Sequence, residues 1–110
     1  MHRSTLIVAR MAPDSATDVA RLFEQFDRTD MPGRMGTTRR QLFSFHGLYF
    51  HLQDFASGEG EERIEGAKDD PRFVRISDDL KPYIEPYDPV TWRSPRDAMA
   101  TRFYAWEAGA

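Results

Sequence analysis

Residues 39–55 read Arg39-Arg40-Gln41-Leu42-Phe43-Ser44-Phe45-His46-Gly47-Leu48-Tyr49-Phe50-His51-Leu52-Gln53-Asp54-Phe55. The run divides at His46-Gly47 into two strands joined by a two-residue turn, because glycine takes the positive φ such a turn requires. With Phe45 opposite Leu48, the rest of the register follows. Ser44 faces Tyr49, Phe43 faces Phe50, Leu42 faces His51 and Arg40 faces Gln53. Side chains alternate along a strand, so the hairpin has two unlike surfaces. One carries Phe43, Phe45, Leu48, Phe50 and Leu52, and the expectation is that helices cover it. The other carries Arg40, Leu42, Ser44, Tyr49, His51 and Gln53. Arg40 and His51 are diagonal neighbours there, with Cβ atoms ~7 Å apart, so their heads can meet one ligand. Apolar walls around a few convergent polar groups describe a small-molecule pocket. The plainer alternative is a half-solvated sheet face.

Outward from the hairpin, Thr5 to Arg10 is a short β-branched run and reads as the first strand. Ala12-Pro13-Asp14-Ser15 punctuates the chain, and Ser15 with Asp18 resembles a capping box opening a helix. Val19, Leu22, Phe23 and Phe26 fall on one helical face and read as core. The segment from Asp27 to Gly33 is polar, ends in Pro-Gly and reads as a loop. The second strand starts after Gly36. Ser57-Gly58-Glu59-Gly60 is a flexible break, and Glu61 to Lys68 is a weak helical signal. Asp70-Pro71 starts a helix with Phe73, Ile76 and Leu80 as its buried stripe, and Pro82 ends or bends it. Residues 83–97, rich in proline, read as a long stiff loop pinned by Tyr83, Tyr87 and Trp92. Ala98 to Trp106 alternates again and reads as the last strand, with Arg102, Tyr104 and Trp106 on one face.

The order strand, helix, strand, strand, helix, strand predicts an α+β, ferredoxin-like βαββαβ fold. It has a four-stranded antiparallel sheet with helices on one face. Nothing in the chain covers the other face, where Leu42, Tyr49, Trp106 and part of the first strand would lie bare. Monomers rarely expose such a patch, so a second copy is expected there. Two sheets meeting face to face would enclose the face of Arg40 and His51 in a dimeric α+β barrel.

The 110 residues make one domain, spanning 1–110. A hydrophobic content of 40 % with eight Phe fits a folded globule rather than a disordered tail. The chain has no cysteine, which removes disulfides and thiolate metal sites. The net charge is −3 with no basic block, which argues against nucleic acid. The apolar run Leu6-Ile7-Val8-Ala9 is too short for a signal peptide core or a membrane span, so the expected setting is cytoplasmic. The histidines, His2, His46 and His51, are not spaced as metal ligands, and no metal is expected.

Phe26-Asp27, Met31-Pro32, Gly36, Arg39-Arg40 and the run Leu42 to Leu52 resemble the tetracenomycin-cyclase-like family of aromatic polyketide cyclases. Asp70-Pro71-Arg72-Phe73, Tyr83-Ile84-Glu85-Pro86-Tyr87 and Phe103-Tyr104-Ala105-Trp106 fit the same pattern. The resemblance implies a homodimer that works without a cofactor on a small-molecule polyketide, closing a late ring. It also implies transient contact with polyketide synthase subunits. Where the family pattern has a histidine before the aspartate at the end of the first helix, this chain has Phe26. Proton transfer then falls to His51, Arg40 and Asp27.

Such a ring closure is an intramolecular aldol reaction followed by loss of water. His51 is the expected base, since imidazole is largely neutral at pH ~7. Arg40 would disfavour the imidazolium and hold the developing oxyanion. Leu42, Ser44, Tyr49, Gln53, Arg102, Tyr104 and Trp106 are the expected substrate-binding residues. The plainer readings are a buried structural histidine at 51, an ion pair from Arg40 to Asp27 or Asp30, and Asp27 as a helix-end anchor. Two other functions fit the same residues: a cofactor-free anthrone-type monooxygenase, and a non-catalytic subunit that holds a polyketide in shape.

Overall fold

The computed structural model describes residues 4–56 and 60–109. Its centre is the hairpin of β2 (Thr37–Phe45) and β3 (Leu48–Phe55). His46 at φ 48° and Gly47 at φ 81° make the turn. Both central residues are left-handed, which matches the twist of the flanking strands. The register is the expected one, with Leu42 opposite His51 and Arg40 opposite Gln53, and an irregularity lies between Thr37 and Arg39. The first strand, β1 (Ser4–Met11), runs antiparallel to β3 and sets Ile7 against His51 and Ala9 against Tyr49.

A 3-10 turn at Pro13–Ser15 runs directly into α1 (Ala16–Asp27). The expected capping box does not form. Ser15 is already helical in φ and ψ, so its hydroxyl makes no capping bond. The supposed loop after Asp27 contains a short helix, α2 (Met31–Met35). Pro32 suits its first turn, and Gly36 at φ 76° ends it. Met31 and Met35 drop into the core. The weak signal after residue 60 is α3 (Gly60–Ala67). Of the expected break at residues 57–60, the first three lie outside the described residues. In α4 (Pro71–Leu80) the Asp70 carboxylate accepts from the Arg72 backbone N–H at 2.9 Å, as an N-cap should.

The sheet is four-stranded in the order β2-β3-β1-β4, the βαββαβ arrangement. Its last strand is not Ala98–Trp106. It is β4 (Ile84–Pro86), inside the stretch that read as loop. Three residues suffice to pair with Ala9–Met11 of β1. The chain returns to that edge once more, through an Ile7–Met99 bridge and an Ala100 N–H bond to the Leu6 carbonyl at 2.7 Å. It then leaves the sheet. Residues 101–107 take no regular structure, and Phe103, Tyr104 and Trp106 are 88 %, 78 % and 72 % exposed. The alternation in this segment finds no partner strand among the described residues.

The helices lie on the other side of the sheet from the one expected. They cover the mixed face: Ala9, Met11, Tyr49, His51, Gln53 and Phe55 are buried with Val19, Phe23, Phe26, Ile64 and Ile76. The greasy face is the bare one, with Phe43 and Phe45 exposed and Leu48, Phe50 and Leu52 only half-buried. Burying an aromatic or aliphatic side chain stabilises by roughly 1.5–3 kcal/mol, and both faces carry such side chains. The hairpin pattern separates two faces without saying which one α1 and α4 will cover. Among the described residues no helix is long and apolar enough to cross a membrane.

Candidate active site

Between the sheet and the helices lies a cavity of about 530 Å³. Its walls are apolar: Ile7 and Ala9 from β1, Phe23 and Phe26 from α1, Ile64 from α3, and Phe73, Ile76 and Leu80 from α4. Ile84 and Trp92 also line it, Trp92 with 40 % of its surface exposed. Charged and polar side chains from the helices and the C-terminal segment border it as well: Lys68, Asp69, Ser77, Asp78, Lys81, Glu85, Arg93 and Ser94. The sheet contributes the polar groups of Arg40, Tyr49, His51 and Gln53. The period of two along β2 and β3 sends these four side chains to one face. Pockets of this size with a few convergent polar groups take small molecules.

Asp27, Arg40 and His51 form a chain of contacts. Arg40 Nε donates to Asp27 Oδ1 and Oδ2 at 3.1 and 3.0 Å, and Arg40 Nη2 donates to Oδ1 at 2.8 Å. The remaining arm, Nη1, lies 2.8 Å from His51 Nε2. A guanidinium has only donors, so His51 accepts at Nε2 and carries its proton on Nδ1. Arg40 and His51 therefore bond to each other rather than merely facing one ligand. The ion partner of Arg40 is Asp27, the last residue of α1, while Asp30 pairs with Arg72.

Burial, and then the adjacent Arg40 charge, push the His51 pKa down to about 3. The imidazole is neutral through the ordinary pH range and a weak base. Burial also raises the Tyr49 phenol well above its usual value, against the lowering effect of Arg40. Tyr49 is a neutral hydroxyl, and among the described residues no hydrogen-bond partner meets it. Gln53 is anchored by its Nε2, which donates to Thr37 Oγ1 at 2.7 Å.

The aromatic residues of α1 fix the guanidinium. Arg40 Cζ lies 4.9 Å from the Phe23 ring centroid and 5.6 Å from that of Phe26. The Phe23 ring meets His51 edge-on at 5.1 Å. Phe26, the departure noted in the sequence, is thus a cavity wall beside the cation. Nothing in the helical periodicity of Phe23 and Phe26 distinguishes a cavity wall from solid core. Trp92 had even less signal, since it lies in a loop.

The structure brings Tyr49, Gln53, Arg40 and His51 to the cavity and sets Asp27 directly behind Arg40. It does not bring the others. Leu42 packs against the core outside the cavity, and Ser44 is exposed near the turn. Arg102, Tyr104 and Trp106 lie on the exposed C-terminal arm, because the strand expected to carry them does not form.

The family model for polyketide synthesis cyclases matches residues 3–107. The chain is 46 % identical over 107 residues to polyketide synthase CurG of Streptomyces cyaneus, covering 97 % of this chain and 98 % of that one. It is 38 % identical over 108 residues to tetracenomycin F2 cyclase of Streptomyces glaucescens, covering 98 % and 97 %. The solved structure of that cyclase, described as a type-II polyketide cyclase, superposes with a TM-score of 0.89 over 96 % of this chain and 97 % of the other. An antibiotic biosynthesis monooxygenase from Nitrosomonas europaea shares the fold at a TM-score of 0.53, with 9 % identity over 74 % of this chain and 77 % of that one. The chain belongs to the polyketide synthesis cyclase family.

Proposed function

We propose that this protein is an aromatic polyketide cyclase that closes a late ring by intramolecular aldol addition, dehydration and aromatisation. The observation that carries the reading is an apolar cavity of about 530 Å³ into which an Asp27–Arg40–His51 chain opens. The likeness to tetracenomycin F2 cyclase supports it.

In this reading His51 takes a role other than the expected base. Its basic nitrogen is held by Arg40, and its pKa is pushed down to about 3. It serves as an N–H donor through Nδ1, and Tyr49 as an O–H donor beside it. The attacking carbon is a methylene between two carbonyls, which reaches its enol without a strong base. As the enol carbon bonds to the target carbonyl carbon, charge gathers on that oxygen. Donors fixed in advance in a dry site stabilise such a charge. Arg40 lies one bond behind His51 and polarises it, and Asp27 keeps the guanidinium in place. The apolar walls fold the substrate, which supplies several kcal/mol through orientation. No cofactor enters this reaction.

A homodimer is part of the same reading. Leu6, Val8, Phe43, Phe45, Leu48, Phe50 and Leu52 share the uncovered face, and the C-terminal aromatics stand beside it unpaired. A second copy covers both, and symmetric self-association is the common solution to such a surface. Transient contact with the synthase subunits that deliver the substrate belongs to the reading as well.

Incubation with a partly cyclised polyketide, followed by mass spectrometry, tests it. Cyclisation with dehydration removes one water. A gain of oxygen sinks the cyclase reading in favour of a monooxygenase. An unchanged substrate mass with tight binding leaves only a shaping role.

A further inference from the structure

The wall of the cavity formed by Trp92 and the turn after it is held from outside by one carboxylate. Residues 87–98 leave β4, cross the helical layer and return to β1 at Met99. Their second half is a self-contained knot. The Asp97 carboxylate accepts from the backbone N–H groups of Arg93 and Ser94 at 2.8 and 3.1 Å, and Ser94 caps the 3-10 turn Pro95–Ala98 in return. The knot is tied to α3 by Glu65. Glu65 Oε1 accepts from Ser94 Oγ at 2.8 Å and from the Arg96 backbone N–H at 3.2 Å. Its other oxygen faces Lys68 Nζ at 3.5 Å. The bond from Ser94 and the neighbouring charge hold the Glu65 carboxyl below the usual range, as expected of a carboxylate that accepts several donors.

We infer that Glu65 is a positioning residue for the cyclase: it latches the 93–98 knot onto α3 and so fixes the Trp92 wall that sets the width of the cavity. The inference rests on the cyclase reading for its functional consequence, though not for its geometry. Ile64, the neighbour of Glu65 on α3, lines the cavity, as do Trp92, Ser94 and Pro95. The latch therefore joins two parts of the wall, one from α3 and one from the C-terminal segment. Among the described residues no other side-chain hydrogen bond is made between this knot and the helices. Without it, the segment stays tied to the sheet through β4, the Arg10 bond to the Tyr87 carbonyl, the Met99 bridge and the Ala100 bond to Leu6, but no side-chain hydrogen bond holds the knot to α3, and the cavity can widen. A flat polycyclic ligand gains affinity from walls that are already in place.

Trp92 and Trp106 are the tryptophans of the chain, so a Trp106→Phe background leaves Trp92 as the fluorescent reporter. In that background Glu65→Met removes the acceptor and keeps the length and helix propensity of the side chain, while Glu65→Gln keeps an acceptor oxygen. Acrylamide quenching of Trp92 is expected to rise roughly twofold or more in the methionine variant and to stay unchanged in the glutamine variant. Binding of a dihydroxyanthraquinone, used as a flat polycyclic probe, is expected to weaken roughly tenfold in the first and not in the second. A folded methionine variant with unaltered Trp92 quenching overturns the latch, and so does a glutamine variant as disturbed as the methionine one. Should the unaltered protein fail to bind the anthraquinone, the cyclase reading suffers and the quenching result alone decides the latch. Should the methionine variant not fold, hydrogen exchange at the Arg96 amide of the unaltered protein decides it. Protection supports the bond to Glu65, and exchange at the free-peptide rate overturns it.

Discussion

Arg40 donates a hydrogen bond to His51 Nε2 at 2.8 Å while its other nitrogens grip Asp27. The Arg40 side chain is 8 % exposed and His51 is buried, so the bond between them is made away from bulk water. It decides the imidazole's tautomer and occupies its Nε2, while burial, more than the adjacent charge, keeps the ring neutral.

Stability should depend on pH through His51. An unfolded histidine titrates near ~6.5, and the folded one near about 3. Between those values the unfolded chain binds a proton that the folded chain does not. Stability therefore falls as pH falls through that window. Urea melts at about pH 6.5 and about pH 5 should show His51→Gln losing on the order of 2 kcal/mol less than the unaltered protein over the interval. Parallel pH dependences would mean His51 titrates alike in the folded and unfolded chain.

Replacing Arg40 by Met should lower kcat roughly 100-fold or more, the usual consequence of losing a fixed charge near a developing oxyanion. Arg40→Lys should recover only part of that, since an ammonium cannot hold Asp27 and His51 in one planar fork. Single-turnover kinetics on a cyclisation substrate give the comparison. Full activity in both variants argues for catalysis by shape alone.

Tyr49→Phe separates binding chemistry from folding. The hydroxyl has no protein partner among the described residues, so its removal should change stability by less than about 0.5 kcal/mol. It should slow turnover roughly tenfold, the value of one neutral hydrogen bond of about 1.4 kcal/mol. A large loss of stability with normal turnover would place the hydroxyl in the fold rather than at the substrate.

The uncovered sheet face predicts a dimer in solution. Light scattering should give twice the mass of the chain, and Phe43→Asp should shift it to monomer. Phe43 is 49 % exposed, so the substitution costs the single protomer little. A monomer for the unaltered protein removes the second copy from the reading.

Gly47→Ala tests the turn. A Cβ there meets no atom within 4 Å, so the cost is the φ of +81° alone. Thermal unfolding should report a loss of about 1–2 kcal/mol.

The hairpin was legible because its signals are local. Gly47 supplies the turn, alternation supplies the faces, and together they put Arg40 and His51 on one surface, where the folded protein has them. The N-cap at Asp70 and the helical stripe of Phe73, Ile76 and Leu80 were legible for the same reason. Which face the helices cover was decided only in three dimensions. Phe43 and Phe50 on one face and Tyr49 and Leu42 on the other are both apolar enough to pack, and only the path of α1 and α4 breaks the tie. The last strand likewise depended on a partner: Ile84–Pro86 pairs because the edge of β1 is within reach, while Phe103 to Trp106 alternates with no partner strand among the described residues. Local pattern thus determined elements and register, and packing between distant segments decided where the cavity lies and what reaches it.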